Sequence, residues 1–142
     1  MGALTTQHNV SSKKIEALIS IMAAGPQVEC PLKEIFAPGV YYREITIPAD
    51  TVVVGHEHKT KHLNIVLTGL AEVVVNGQRF LAQAGDVFVS EAGDRKALHA
   101  LEETRWATIH PTDETDPEKL EALLINKHEP SIEGPQGQEV LA

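Results

Sequence analysis

The chain has 142 residues, of which 42% are hydrophobic and 23% are charged, and its formal net charge is -8. This size and composition predict one folded domain and exclude a disordered or fibrous chain. The acidity is concentrated at the C-terminal end, where residues 102–142 hold ten acidic and three basic side chains. Because there is no block of Lys or Arg, we expect neither a nucleic acid nor a membrane as partner.

The N-terminal residues 1–37 predict an arm with one short helix. Apolar side chains between Ile15 and Met22 recur at helical spacing, and a Gly-Pro pair ends the pattern, which places the helix near residues 12–24. Polar residues interrupt this apolar run, so we expect neither a signal peptide nor a spanning segment, and the expected compartment is the cytoplasm. A single cysteine, Cys30, excludes an internal disulfide.

Residues 38–111 predict an antiparallel β domain, because eight short runs rich in Val, Ile and Thr are separated by turn residues. The runs cover residues 40–47, 51–55, 63–68, 71–75, 78–82, 86–90, 97–101 and 105–109. Asn76 and Gly77 both tolerate positive φ, which predicts a type I′ hairpin turn. Strands this close leave no room for crossover helices, so we expect a sandwich, jelly roll or barrel.

The C-terminal residues 112–142 predict a second helix followed by a flexible tail. Thr115 or Asp116 can cap this helix, and Pro117 suits its first turn, so we place it near residues 116–126. The residues after it contain Pro and Gly with few large apolar groups, which is typical of a mobile segment.

The candidate chemistry is carried by histidines. His56 and His58 alternate by two, so on a strand both imidazoles leave the same face, as ligands of one metal ion would. His62 has the same parity and follows after a three-residue interval that allows a turn. His99 lies on a later predicted strand, where we expect it to face inward, and it is the fourth candidate. His110 precedes a proline at a strand end and is interpreted as structural.

This segment resembles the first motif of the cupin superfamily. The sequence has His56, one residue, His58, three residues, His62, six residues and Gly69. His62 stands where cupins usually have a glutamate ligand, which gives an all-imidazole set. The resemblance implies a double-stranded β-helix, the cupin jelly-roll barrel, over residues 38–111, with the short helices at its periphery.

The second cupin motif is similar to the stretch from Gly85 to Gly93, followed by His99. Glu91 replaces the usual proline, and five residues rather than two separate Gly93 from His99. The longer spacing allows another residue, such as Lys96, to take the usual histidine position. Residues 37–49, 58–64 and 100–112 also resemble small single-domain cupins encoded in bacteriophage and prophage genomes, most of which have no assigned activity.

Two functions are open at this level. The first is a small metal-binding cupin, in which His56, His58, His62 and His99 hold zinc, nickel, iron or manganese and the metal serves an enzyme acting on a small molecule. The second is a non-catalytic ligand-binding or structural cupin module, with or without a phage connection. No catalytic residue is assigned. We expect a homodimer, because two short apolar helix faces and the Val52-Val53-Val54 run exceed what one small barrel readily covers.

Overall fold

The computed structural model describes residues 28–126, which form eleven strands and one helix. The strands are β1 (Leu32–Ala37), β2 (Val40–Ile47), β3 (Thr51–Val54), β4 (Glu57–His58), β5 (His62–Thr68), β6 (Leu70–Val75), β7 (Gln78–Gln83), β8 (Val87–Ser90), β9 (Lys96–Ala100), β10 (Thr104–His110) and β11 (Ile125–Asn126), and the helix is α1 (Pro117–Leu124). The predicted N-terminal helix near residues 12–24 and the predicted tail lie outside the described residues.

The strands build two main sheets. The first has the order β1-β2-β10-β5-β8, the second has the order β3-β9-β6-β7, and β4 pairs with β11. Every strand pair between residues 28 and 126 is antiparallel. The predicted all-β jelly roll is therefore confirmed.

The core lies between the two sheets. Ile45, Val66 and Trp106 of the first sheet pack with Val73 and Leu98 of the second. Trp106 is fully buried and meets Phe88 edge-on, with ring centroids 5.5 Å apart. Burial of these side chains supplies the main favourable free energy of folding. Cys30 belongs to the same cluster, and burial raises the pKa of its thiol, which fits the inert structural role expected of it.

All eight predicted strands are present, with ends that differ from the prediction by at most one residue. The hairpin between β6 and β7 has positive φ at both turn residues, 50° at Asn76 and 77° at Gly77, as a type I′ turn requires. Three strands, β1 and the two-residue strands β4 and β11, were not predicted, and the longest of them is β1. It pairs along its whole length with β2, from Leu32 opposite Ile45 to Ala37 opposite Val40, so the first sheet begins earlier than expected.

The helix α1 closes one end of the barrel. Asp116 caps it by accepting a hydrogen bond from the Glu118 amide at 2.9 Å, as the sequence predicted. Leu120 and Leu124 are buried against Tyr41, and the chain then continues into β11. No helix between residues 28 and 126 is long and apolar enough to cross a membrane. Because β11 pairs with β4, Ile125 lies opposite His58, one of the candidate ligands.

Candidate functional site

Three buried imidazoles meet at the closed end of the barrel. His58 ends β4 and His62 begins β5, and their ring centroids are 4.3 Å apart. His110 ends β10, with its ring 4.6 Å from that of His62 and 5.8 Å from that of His58. All three are at most 3% exposed. We call these three residues the histidine cluster. His56, just before β4, is also buried.

Strand pairing explains why His110 joins this cluster. β10 runs antiparallel to β5, with Ile109 opposite Leu63, so the last residue of β10 lies beside the first residue of β5. His110 also shares strand parity with the buried Trp106 and Thr108. The sequence interpretation treated His110 as structural because of the proline after it. The inward parity with Trp106 was the signal that could have identified it.

The His62 ring is neutral near pH 7, and one of its two nitrogens is a hydrogen-bond acceptor. Its Nδ1 lies 3.1 Å from the Thr60 carbonyl oxygen, which can only accept, so we assign the proton to Nδ1. Burial, together with the charge of Lys96, lowers the pKa of His62 to about 4. The Nε2 atom is therefore an acceptor, and it is buried with no hydrogen-bond partner among residues 28–126.

His110 has a similar environment. Burial first, and then the neighbouring His62 and Lys96, lower its pKa to about 3. Its Nε2 lies 2.9 Å from the Thr108 hydroxyl, whereas its Nδ1 is buried with no hydrogen-bond partner within the described part of the chain. His62 and His110 are thus both neutral near pH 7, the form in which imidazole binds metals.

Lys96 begins β9 and follows Gly93 after two intervening residues, the spacing at which the second cupin motif usually has its histidine. Its side chain is 1% exposed, and Nζ donates to Ser90 Oγ at 3.0 Å. Ser90 Oγ also accepts from Asn64 Nδ2 at 2.8 Å. Burial lowers the pKa of Lys96 to about 8, which still leaves it mostly charged at pH 7. The inner end of the barrel therefore holds a buried cation beside neutral imidazoles.

His99 lies outside this group. On β9 the residues Lys96, Leu98 and Ala100 are buried, so His99 leaves the opposite face of the strand. Its Nε2 lies 2.8 Å from Asp50 Oδ1, and its side chain is 37% exposed. The sequence interpretation placed His99 on an inward face. That placement is wrong, because His99 points to the outer face of β9.

A cleft leads from the surface to Lys96. It has a volume of about 440 Å³ and lies between the β6–β7 hairpin and β8. Phe80, Phe88 and Val75 supply apolar walls, and Ser90 and Lys96 lie at its polar part. The cleft thus has the mixture of apolar surface and a few polar groups that is typical of small-molecule sites.

A family profile described as the AraC-like ligand binding domain matches residues 37–130. The chain belongs to this family. Among curated proteins, none matches its sequence. The match covers β2 to β11 together with helix α1.

Solved structures share the fold of this AraC-like domain. The cupin domain of Cnp3 from Schizosaccharomyces pombe is 20% identical, with a TM-score of 0.52 over 69% of this chain and 73% of that one. The plu4264 protein from Photorhabdus luminescens is 17% identical, with a TM-score of 0.53 over 70% and 85%. The DMSP lyase DddQ from Ruegeria pomeroyi is 15% identical, with a TM-score of 0.54 over 66% of this chain and 56% of that one. At these identities the likeness concerns the cupin fold, and the resemblance to phage-encoded cupins stays a prediction.

The histidine cluster of this AraC-like domain fits a metal in donor chemistry. Imidazoles bound to one ion at about 2.1 Å, with angles of about 90–110° between them, have ring centres about 4.6–5.3 Å apart, and the separations here are 4.3–5.8 Å. Between residues 28 and 126, no group of three or more His, Cys, Asp or Glu side chains already has the arrangement of a metal site. The rings would therefore have to rotate for three nitrogens to reach one ion.

Proposed function

We propose that this cupin-type domain binds a small molecule at the closed end of its barrel together with a divalent transition metal. His58, His62 and His110 would hold the metal, and His56 is a further candidate ligand. The observation that supports this proposal is the Nε2 atom of His62, a buried acceptor that no described residue satisfies.

The physical reason is the cost of leaving that acceptor unsatisfied. A buried polar atom without a partner costs about 1–3 kcal/mol, whereas a bound cation uses the lone pair. Neutral imidazole suits zinc, nickel and iron, and manganese is a weaker fit. A metal bound here would act as a Lewis acid towards a bound oxygen atom of the ligand.

The residues of the chain have their own part in such a site. Lys96 supplies a buried positive charge next to His62, and Asn64 fixes Ser90, the hydrogen-bond partner of Lys96. His58 is fully buried, and β11 pairs with β4 so that Ile125 lies opposite His58. These features serve binding and orientation, and none of them assigns a reaction.

A second candidate function is a metal-free ligand-binding module. Lys96 favours it, because an ammonium at the usual fourth-ligand position repels a divalent cation. In that case the ligand itself would use the lone pair of His62 and the charge of Lys96. This function agrees with the family to which the chain belongs.

Metal content separates the two candidates. We expect wild-type protein, purified without chelator or affinity tag, to hold about one transition-metal ion per chain by elemental analysis. His58→Ala and His62→Ala should weaken metal binding by at least about 10-fold to 100-fold, because each removes one of three ligands. His99→Ala is the matched control, since His99 lies outside the cluster, and it should bind like wild type. If all four proteins take up the same amount of metal, or none takes up any, the metal-free module becomes the better account.

A further inference from the structure

We propose that Lys96 makes the cleft a binding site for a small organic acid, whose carboxylate meets the Lys96 ammonium and whose apolar part packs on Phe80 and Phe88. This inference rests on the ligand-binding part of the proposed function and does not require the metal. It assigns the chemical class of the ligand.

The ammonium of Lys96 has unused hydrogen-bonding capacity. It carries three N–H donors, and Ser90 Oγ is its one hydrogen-bond acceptor among residues 28–126. No carboxylate of the described residues forms an ion pair with it within 4.0 Å. Because a buried charge is costly unless it is paired, an anionic ligand would gain more here than at an exposed lysine.

Two carboxylates, Asp86 and Asp94, also line the cleft, but both already accept hydrogen bonds from residues in the neighbouring turns. Asp86 Oδ2 accepts from the Gln83 amide at 2.9 Å. Asp94 Oδ2 accepts from the Glu91 amide at 2.9 Å, and its Oδ1 accepts from Asn76 Nδ2 at 2.6 Å. Asp94 nonetheless acts on Lys96 at longer range and raises its pKa against the effect of burial. Among the described residues that line the cleft, Lys96 is the one cationic side chain.

The apolar wall of the cleft indicates the chemistry of the part of the ligand beyond its carboxylate. Phe80 and Phe88 stand edge to face with ring centroids 5.4 Å apart, and both line the cleft with Val75 and Val87. A planar ring or a short alkyl chain would bury apolar area there. A phosphate ester is a poorer match, because a dianion is normally held by several cationic or backbone donors, and this cleft offers one ammonium and one hydroxyl.

Calorimetry with sodium benzoate, benzamide and phenyl phosphate tests the inference on protein that has been freed of metal. Benzoate should bind with a Kd of about 1 mM, as expected for a ligand of this size. Benzamide has the same ring without the charge and should bind at least about 10-fold more weakly. Phenyl phosphate should not bind more tightly than benzoate.

The variants Lys96→Met and Arg79→Met make a matched pair. Each removes one positive charge, but Arg79 leaves the outer face of β7, where its side chain is 71% exposed and pairs with Glu72 at 3.1 Å. Lys96→Met should lose benzoate binding by at least about 10-fold, and Arg79→Met should keep it. Methionine is apolar and of similar length, so the barrel should stay folded, which a thermal melt of the same sample verifies.

Several results would overturn the carboxylate site. Equal affinity for benzoate and benzamide would do so, as would unchanged benzoate binding by folded Lys96→Met or tighter binding of phenyl phosphate. No heat of benzoate binding up to about 10 mM would also overturn it. These outcomes are independent of metal content, so a failed metal site with intact benzoate binding contradicts the metal proposal alone.

Discussion

Glu44 shows how a single polar residue is stabilised on the outer face of the first sheet. It is 6% exposed on β2, and its two carboxylate oxygens accept hydrogen bonds from Arg105 Nε at 2.8 Å and from the Tyr42 hydroxyl at 2.6 Å. The hydrogen bond from Arg105 lowers the pKa of Glu44 below its usual value, against the opposing effect of burial. The ionised form is therefore the one that stabilises the fold.

This arrangement predicts a specific pH dependence of stability. Because the pKa of Glu44 is lower in the folded state, its contribution is fully present above the unfolded pKa of about 4.5 and is lost as the pH falls through the folded value. Wild type should therefore have the higher Tm than Glu44→Gln at pH 7, and the gap should narrow below about pH 4.5. Glu103→Gln, at an exposed position, should follow the wild-type curve. Thermal melts between about pH 3 and pH 8 measure this. A gap that stays constant over that range would show that Glu44 does not titrate with folding.

The sequence identifies only some residues of the histidine cluster. Spacing alone found His58 and His62, because strand parity is readable when both residues lie within one short segment. It did not find His110, which reaches the cluster through the pairing of β10 with β5 and is recognisable in the sequence only by its shared parity with Trp106. It also assigned the wrong face to His99, since a shift of one residue in the inferred parity of β9 exchanges its inner and outer side chains.

At the level of elements, the turn at Gly69 joins β5 to β6 in a conformation that only glycine adopts easily. Its φ is 95°, and a Cβ placed there would collide with the backbone carbonyl oxygen of Glu103 and with Thr104. Gly85, before β8, has nearly the same φ of 94°, but a Cβ there would meet open space. An alanine at either position would therefore adopt the same unfavourable φ, but only at position 69 would its Cβ also collide with neighbouring atoms.

This pair predicts two different costs for the same substitution. Gly85→Ala should lower the free energy of unfolding by about 1–2 kcal/mol, which is the cost of a left-handed conformation for alanine. Gly69→Ala should cost at least about 3 kcal/mol, because the backbone of the β9–β10 connection must also move. Urea denaturation of both variants measures the difference. Equal losses in the free energy of unfolding would mean that the β9–β10 connection moves at little cost, and would contradict a role for crowding at Gly69.

Local chemistry predicted most elements, for identifiable reasons. The predicted strands, β2, β3 and β5 to β10, have β-branched residues and turn residues between them, and Asp116 with Pro117 marks the start of α1. The sequence did not reveal β1, because all six of its residues are exposed and show no alternation of buried and exposed positions. Its pairing with β2 is a tertiary contact at the edge of the sheet.

At the scale of the whole molecule, a row of apolar side chains crosses the first sheet. The strand registers align Ile35 with Tyr42, Tyr42 with Ile109, Ile109 with Leu63, and Leu63 with Val89. Ile35, Leu63 and Val89 are between 41% and 47% exposed. We call these five residues the apolar row. Contiguous apolar surface of this kind is typical of an interface, and a flat row can pair with its own copy about a two-fold axis.

The predicted homodimer would use the apolar row. We expect light scattering to give twice the mass of one chain at micromolar concentration. Ile35→Lys should yield a monomer, because it places a charge in the row and lies away from the histidine cluster. Leu81→Lys is the control, since Leu81 is 59% exposed on the other sheet. A monomeric wild type at all concentrations, or loss of the dimer in Leu81→Lys alone, would contradict this interface.

The central claim, that the histidine cluster binds a transition metal, is tested most directly by anomalous diffraction from crystals grown with a nickel or zinc salt. The account predicts one strong peak per chain about 2.1 Å from His62 Nε2, within reach of His58 and His110. Peaks found only beside the exposed His99 and Asp50, or no peak at the cluster in well-ordered crystals, would contradict it.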